Sequence, residues 1–245
     1  MIQLNNISKY FPKRWKVMQS FMQSIAGIML KEVSKNTIHA LDRISCRVDK
    51  DEIVGLIGPN GSGKSTLLRV MGRIYAPTSG TIKSKGIIKA VINLKYGIIH
   101  SLSMKDNLMY LGIILGMTRS EIDAKYDTIA EFAGLSDQST KITHFSEGMK
   151  DRLIMSVVLH TNFDFLLLDE MLTMADESFK NKCIEHLRLI SKKKGIIITS
   201  HDLELISKLC KRVIILSKGE IVYDGNVTEG LKVYRESICK SKVMI

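Results

Sequence analysis

The chain lacks the marks of several protein classes. Its four cysteines, Cys46, Cys183, Cys210 and Cys239, lie far apart and form no C-x-x-C pair. That excludes a disulfide framework and a cysteine zinc site, and it suits a reducing cytosol. The opening Met1-Ile2-Gln3-Leu4 starts like a strand and has neither the basic head nor the long apolar body of a secretory leader. No apolar run reaches the ~20 residues that a bilayer-spanning helix needs, so the chain alone cannot be a channel. Internal repeats and low-complexity linkers are absent. Acidic residues are in short supply, 25 against 36 Lys and Arg, which leaves a formal charge of +11. A solvated basic surface, nucleic acid and an anionic membrane face are each compatible with that excess.

What is present is enough for one large domain or two small ones, 245 residues of which 45% are hydrophobic. The runs Ile53–Ile57, Phe165–Leu168, Ile196–Ile198 and Val213–Leu216 are β-rich and do not alternate. They predict strands buried on both faces, as in a parallel sheet between helices. The stretches Ile2–Ile7 and Ile44–Val48 alternate more clearly and predict an antiparallel side layer with one wet face. Residues 101–162 read as helical. Ser103-Met104-Lys105-Asp106 resembles a capping box. Ser120 is expected to cap the next helix, with Ile122, Tyr126, Ile129 and Phe132 as its apolar stripe and Gly134 as its end.

Residues 13–36 interrupt the side layer. Val17, Met18, Phe21, Met22, Ile25, Ile28 and Met29 recur at helical spacing, and no charge occurs between Val17 and Leu30. Such a helix spans about 21 Å at ~1.5 Å per residue, too short for a bilayer. Basic flanks and Trp15 suit a headgroup zone or the cytosolic end of a membrane partner; packing on the chain's own sheet is the other reading.

The most informative stretch is Gly58-Pro59-Asn60-Gly61-Ser62-Gly63-Lys64-Ser65-Thr66, between a strand-like run and the helical Leu67–Met71. Small residues let backbone N–H groups curl around a polyphosphate, and the helix N-terminus adds positive dipole. Lys64 is placed to reach the β- and γ-phosphates, and the Ser65 hydroxyl to ligate Mg²⁺. Phe165–Leu168 ends in Asp169 and Glu170. We assign Asp169 to the metal and Glu170 to orienting or deprotonating the attacking water. Phe145-Ser146-Glu147-Gly148-Met149-Lys150 lies about twenty residues before those acids. His201, after the strand Ile196–Ile198, is placed either to sense a γ-phosphate or to neighbour a helix cap.

Together these motifs make the chain resemble the ABC-type ATPases from about residue 2 to residue 235: Walker A at 58–66, signature at 145–149, Walker B at 165–170, Asp176 at the D-loop acid and His201 at the switch histidine. The signature Phe145-Ser146-Glu147-Gly148-Met149 is similar to the Y-S-S-G-M form of ATPases that export bacterial surface polysaccharides. Ala90–Leu94, Leu102–Leu108 and Met174–Cys183 look like further stretches of that subfamily, and residues 13–36 match its gate helix. The resemblance implies an α/β fold: a P-loop NTPase core with a mostly parallel sheet, an antiparallel β side layer and an inserted helical subdomain. It implies one domain over 1–245, with a basic tail at 231–245 and no fused carbohydrate-binding domain.

It also implies a homodimer with ATP between the Walker motifs of one copy and Ser146 and Gly148 of the other, with Asp176 nearby. ATP and Mg²⁺ are the implied cofactors. The implied partner is a separately encoded integral membrane permease, and the cargo a lipid-linked glycan of O-antigen, teichoic acid or capsule type. The implied location is peripheral, on the cytoplasmic face of the inner or plasma membrane.

Three positions depart from the pattern. Asn93 stands where the family has Gln or Glu, and it is expected to share catalytic and metal roles; Lys95 replaces a small residue in the same loop. Glu147 either sets a negative charge near phosphate or turns outward at a helix start. These changes predict weak or partner-dependent hydrolysis. Tyr10 is the expected adenine-stacking ring, although the insertion separates it and Phe11 from the Ala40-Leu41 step, beside which His39 lies. Two competing readings are a non-transport ATPase acting on nucleic acid and a subunit that binds ATP without turning it over. Against the former, the uncharged insertion is poorly suited to phosphate backbones, so no nucleic-acid partner is expected.

Overall fold

The computed structural model describes residues 1–12, 37–92, 97–135, 139–171 and 176–243. The insertion at 13–36, Asn93, Lys95 and the Met174-Ala175 step lie outside the described residues, as do the side chains of Cys239, Lys240 and Lys242. Two sheets enclose a core that also takes up the helix Lys64–Met71, and the other helices cover the far side of the larger sheet. A three-stranded antiparallel sheet has the order β2-β1-β4, where β1 is Ile2–Pro12, β2 Thr37–Val48 and β4 Ser79–Ser84. A six-stranded sheet has the order β5-β6-β7-β3-β8-β9, with β5 at Ile88–Val91, β6 at Phe165–Asp169, β7 at Gly195–Thr199, β3 at Ile53–Ile57, β8 at Arg212–Ser217 and β9 at Glu220–Asn226. Only β9 runs antiparallel within it.

The buried strand runs explain the stacking. Side chains alternate across a strand, so Val54 and Leu56, Phe165 and Leu167, Ile197, and Ile214 and Leu216 face the core shared with the side sheet. Ile53 and Ile57, Leu166 and Leu168, Ile196 and Ile198, and Val213 and Ile215 face the helical core. Both sets are apolar because both faces are covered, and each full burial contributes roughly 1.5–3 kcal/mol. The side sheet alternates too, but with a slip. Leu4 and Ile7 are both buried although three residues apart, because the register shifts between them and Asn6 enters the left-handed region at φ 50°.

The described helices are α1 (Lys64–Met71), α2 (Met104–Ile114), α3 (Arg119–Ala133), α4 (Glu147–His160), α5 (Glu177–Ser191), α6 (Leu203–Leu209) and α7 (Val227–Val243). The helices α2 to α4 fall between β5 and β6 in sequence and bury Met104, Leu108, Ile122, Ile129, Leu153 and Val157. Ser103 caps α2, accepting from the Asp106 N–H at 3.1 Å. The cap of α3 corrects the expectation at Ser120. Thr118 is the N-cap and forms a reciprocal capping box with Glu121, and Ser120 lies inside the first turn. Serine sits in the right neighbourhood, but the box takes a glutamate or glutamine three residues after the cap, which Thr118 has in Glu121, whereas Ser120 has the shorter Asp123. Gly134 ends the helix, and Lys232 and Arg235 of α7 are exposed. Among the described residues no helix is long and apolar enough to cross a membrane. Burial pushes the Cys46, Cys183 and Cys210 thiols up to about 12, so they behave as core residues rather than nucleophiles.

One polar cluster sits in the seam between α3, α4 and α5. The rings of His160 and His186 lie 5.3 Å apart, each 5.2 Å from Phe132. The His160 Nδ1–H donates to the Ser156 carbonyl at 2.7 Å. Burial lowers both histidines below their ordinary value of 6.5, helped at His160 by Lys125 and Lys182 and at His186 by His160, while backbone hydrogen bonds to Ser156 and Leu159 work in the other direction. The folded state therefore holds them neutral, while the unfolded chain takes up protons first as pH falls. Stability from this seam is complete above about 6.5 and is lost as pH falls from there through the folded values. Urea midpoints measured from pH 7.5 to 5 should fall, and the slope should flatten in His160→Gln; an equal slope in that variant would remove the seam as its cause.

Candidate functional site

The parallel sheet brings the site together by register. Leu56 of β3 pairs with Thr199 of β7, and Thr199 pairs with Asp169 of β6. The carboxyl ends of these three strands therefore form one row, and the loops that leave them share one crevice. Residues 58–63 leave β3, Glu170 leaves β6 and His201 leaves β7.

The loop after β3 is held from beneath by backbone. A Cβ on Gly58, whose φ is 154°, would meet the Leu216 carbonyl oxygen at 2.2 Å. On Gly63, at φ 109°, it would meet the Ala40 oxygen at 2.5 Å. The β8–β9 turn buttresses the same loop. Lys218 and Gly219 both have positive φ, as a two-residue hairpin needs. The Gly219 N–H donates to the Ser62 carbonyl at 2.9 Å, and the Asp42 N–H donates to the Gly219 carbonyl at 2.8 Å. One turn thus joins the loop to both sheets.

Inside the loop, Lys64 folds back and is almost fully buried. Its Nζ donates to the carbonyls of Gly58 at 2.8 Å and Pro59 at 3.0 Å. Burial lowers its pKa, and the charges of Glu170 and Asp169 pull in the opposite direction. The start of α1 is unusual for this chain. Helices α2 to α6 each begin with a capping side chain: Ser103, Thr118, Ser146, Asp176 and Asp202. Helix α1 begins at Gly63 with no side-chain cap and no acid in its first turn. Its first N–H groups have no intrahelical acceptor, and the Ser62 hydroxyl is buried without a hydrogen-bond partner. Donors, a dipole and a cation converge with no anion of the chain's own capping that turn, the arrangement a phosphate group satisfies.

Opposite stand the acids. The Thr199 hydroxyl donates to Asp169 Oδ1 at 2.7 Å and accepts from the Glu170 N–H at 3.0 Å. Glu170 adopts φ 58°, outside the strand geometry, and this turns its carboxylate out of the sheet line. His201 Nε2 lies 2.8 Å from Glu170 Oε1, with both side chains about half exposed. Thr199 is a site residue that sequence reasoning missed. Its only signal is a hydroxyl ending an otherwise apolar strand.

The remaining expected residues lie around this centre. Ser146 is exposed and caps α4, accepting from the Met149 N–H at 3.2 Å. Open space surrounds Gly148, where a Cβ would meet only Ser146 Oγ, at 3.9 Å. Glu147 is largely exposed and lies 2.7 Å from Lys150 Nζ. Asp176 caps α5 and reaches Arg152 Nε of α4 at 3.6 Å. Tyr10 pairs across the sheet with His39, ring centroids 4.3 Å apart, next to the Ala40 carbonyl that underlies Gly63. His39 therefore shares the place given to Tyr10.

Residues 41–173 match the ABC transporter family. The chain is 36% identical over 82% of its length to the O-antigen export system ATP-binding protein RfbB of Myxococcus xanthus, of which it spans 46%. It is 30% identical over 92% of its length to the ABC transporter protein AbcA of Aeromonas salmonicida, spanning 72% of it. With the teichoic acids export ATP-binding protein TagH of Listeria monocytogenes the identity is 32% over 94% of this chain and 69% of that one. In fold it is similar to a dimeric ATP-binding cassette in a post-hydrolysis state bound to ADP and Pi, with a TM-score of 0.72, 21% identity, and 93% and 99% of the two chains covered. A family match over more than half the chain, joined to relatives a third identical over nearly all of it, makes this protein a member of the ABC transporter family, among its ATP-binding proteins.

Proposed function

We propose that the chain is the ATP-binding and hydrolysing subunit that powers export of a lipid-linked, O-antigen-like polysaccharide across the bacterial cytoplasmic membrane. Teichoic acid is the nearest alternative cargo, since relatives are named for both. The observation that carries the catalytic part is the uncapped start of α1 facing the Asp169–Thr199–Glu170–His201 row. Residues 58–66 would hold the phosphates, with the Lys64 ammonium exchanging its carbonyl partners for phosphate oxygens. Asp169 and Ser65 offer a carboxylate and a hydroxyl, hard oxygen donors of the kind Mg²⁺ takes, and Asn93 is a further candidate. Such an ion would neutralise charge developing on the transferred phosphate. Glu170 would orient or deprotonate the attacking water, and His201 would hold Glu170 in place and report the γ-phosphate.

The outward Ser146–Met149 turn would meet nucleotide on a second copy, as part of a homodimer docked on a membrane permease at the cytoplasmic face. That Glu147 is neutralised by Lys150 supports this use of the signature, because the carboxylate then adds little repulsion toward phosphate. Residues 13–36 would serve as the gate-helix element, and residues 101–162 as the subdomain that carries the signature. Tyr10, with His39, would stack on the base.

Three measurements test the site. Glu170→Gln should lower phosphate release by about a hundred-fold or more while labelled ATP stays bound; release at the normal rate would overturn the role of Glu170. Thr199→Val removes a buried donor without changing shape. It should slow hydrolysis and reduce stability by about 1–3 kcal/mol in urea titration. Chelation by EDTA should abolish hydrolysis and excess Mg²⁺ restore it, whereas turnover that persists without divalent cations would contradict the metal assignment.

A further inference from the structure

Two ion pairs leave the first turn of α5 in different directions. Asp176 caps the helix with Oδ1, which accepts from the Phe179 N–H at 2.9 Å, and turns Oδ2 toward Arg152 of the signature helix α4. Lys180 closes that turn, its N–H donating to the Asp176 carbonyl at 2.9 Å. The Lys180 ammonium lies 2.7 Å from Asp202 Oδ2. Asp202 is also a cap. Its Oδ1 accepts from the Glu204 and Leu205 N–H groups, both at 3.0 Å, while its own N–H donates to the Ser200 hydroxyl at 3.0 Å. Between Ser200 and Asp202 stands His201, bonded to Glu170.

The two oxygens of Asp202 do different things. The cap of α6 uses Oδ1 and does not require Lys180. What Lys180 adds is a tie between the His201 loop and α5 through the other oxygen. This pair is also the better shielded of the two, with Lys180 and Asp202 side chains 18% and 31% exposed against 52% for Asp176. Shielded pairs are weakened less by salt than exposed ones.

We infer that Lys180 is a positioning residue of the hydrolytic site, locking the His201 loop to the same helical turn that Asp176 ties to the signature helix. The His201–Glu170 pair and the start of α4 then shift as one body when nucleotide enters. This inference rests on the roles proposed above for Glu170 and His201. No feature of α5 folding demands a cation at this position, since the first turn of a helix favours acids.

The test uses the purified chain in excess over ATP with Mg²⁺, following one turnover of phosphate release beside the affinity for a fluorescent ATP analogue. Lys180→Met should slow release by ~10-fold, as a small misplacement far from the chemistry does. Analogue affinity should stay within about twofold, a split that marks loss in the chemical step. Lys180→Arg keeps the charge and should recover most of the rate. Amide exchange should rise together at 147–152 and 200–206 in Lys180→Met and not in Lys180→Arg; this comparison needs no turnover and decides the matter if hydrolysis awaits a partner. A normal rate in Lys180→Met, a loss that Lys180→Arg shares, or exchange that rises at only one segment overturns the inference. If Glu170→Gln hydrolyses normally, the reading of the site itself has failed; if it is inert while Lys180→Met matches the unaltered chain in rate and exchange, the bridge alone has failed.

Discussion

The close approach of Gly58 and Gly63 to the backbones of β8 and β2 is the constraint from which the rest of the site follows. At both positions a Cβ would sit inside 2.6 Å of a carbonyl oxygen. No side chain can be accommodated by a small shift there, because the obstacle is backbone of two different sheets. The loop is therefore clamped at both ends, and its middle, Pro59 to Gly61, is left exposed. A clamped loop with a free crown is pre-organised to receive a ligand: its donors are ordered before binding, so less freedom is lost on contact.

That clamp makes sense only with the double-faced sheet behind it. Phe165 and Leu167 turn to the side layer and Leu166 and Leu168 to the helices, so Asp169 emerges at the edge between two packed cores. The row from β3 to β6 is set by hydrogen-bond register, not by side-chain preference. Thr199 completes it by bonding both the side chain of Asp169 and the backbone of Glu170. One hydroxyl thus fixes the relative position of two carboxylates that would otherwise repel.

Much of this was legible in the sequence because it depends on local pattern. Non-alternating strands, the glycine loop and the paired acids each follow from short-range rules, and the fold they imply is the one observed. What was not legible depends on which partner wins a competition. Ser120 and Thr118 are both good caps by type and each has an acid three residues on, but only the Glu121 that follows Thr118 has the length of a capping-box partner, Asp123 after Ser120 being shorter. Glu147 has several cationic neighbours in sequence, and the helix start sets it against Lys150. Tyr10 and His39 are separated by 28 intervening residues in sequence, yet strand pairing sets their rings together. The slip at Asn6 breaks an alternation that would otherwise have located every core residue of β1. Thr199 escaped notice because a threonine ending a strand is common, and its two bonds exist only once β6 and β7 are paired.

The capping pattern unites these observations. Six of the described helices spend a side-chain oxygen on their own first turn, Asn226 serving α7, and in two of them, α5 and α6, the cap is an aspartate with a second oxygen to offer. Capping fixes the orientation of that carboxylate, so the direction of the second oxygen is set by the helix start and not by rotamer choice. Asp176 points it at Arg152 and Asp202 at Lys180. Electrostatic ties between the loops around the crevice are therefore as well placed as the helices themselves. Helix α1 differs in having no cap at all, and its unmet donors are what the crevice presents. Helices that satisfy their own ends build the frame, and the helix that does not leaves room for an anion; a capping residue at Gly63 would close the site by the same rule that stabilises every other helix around it.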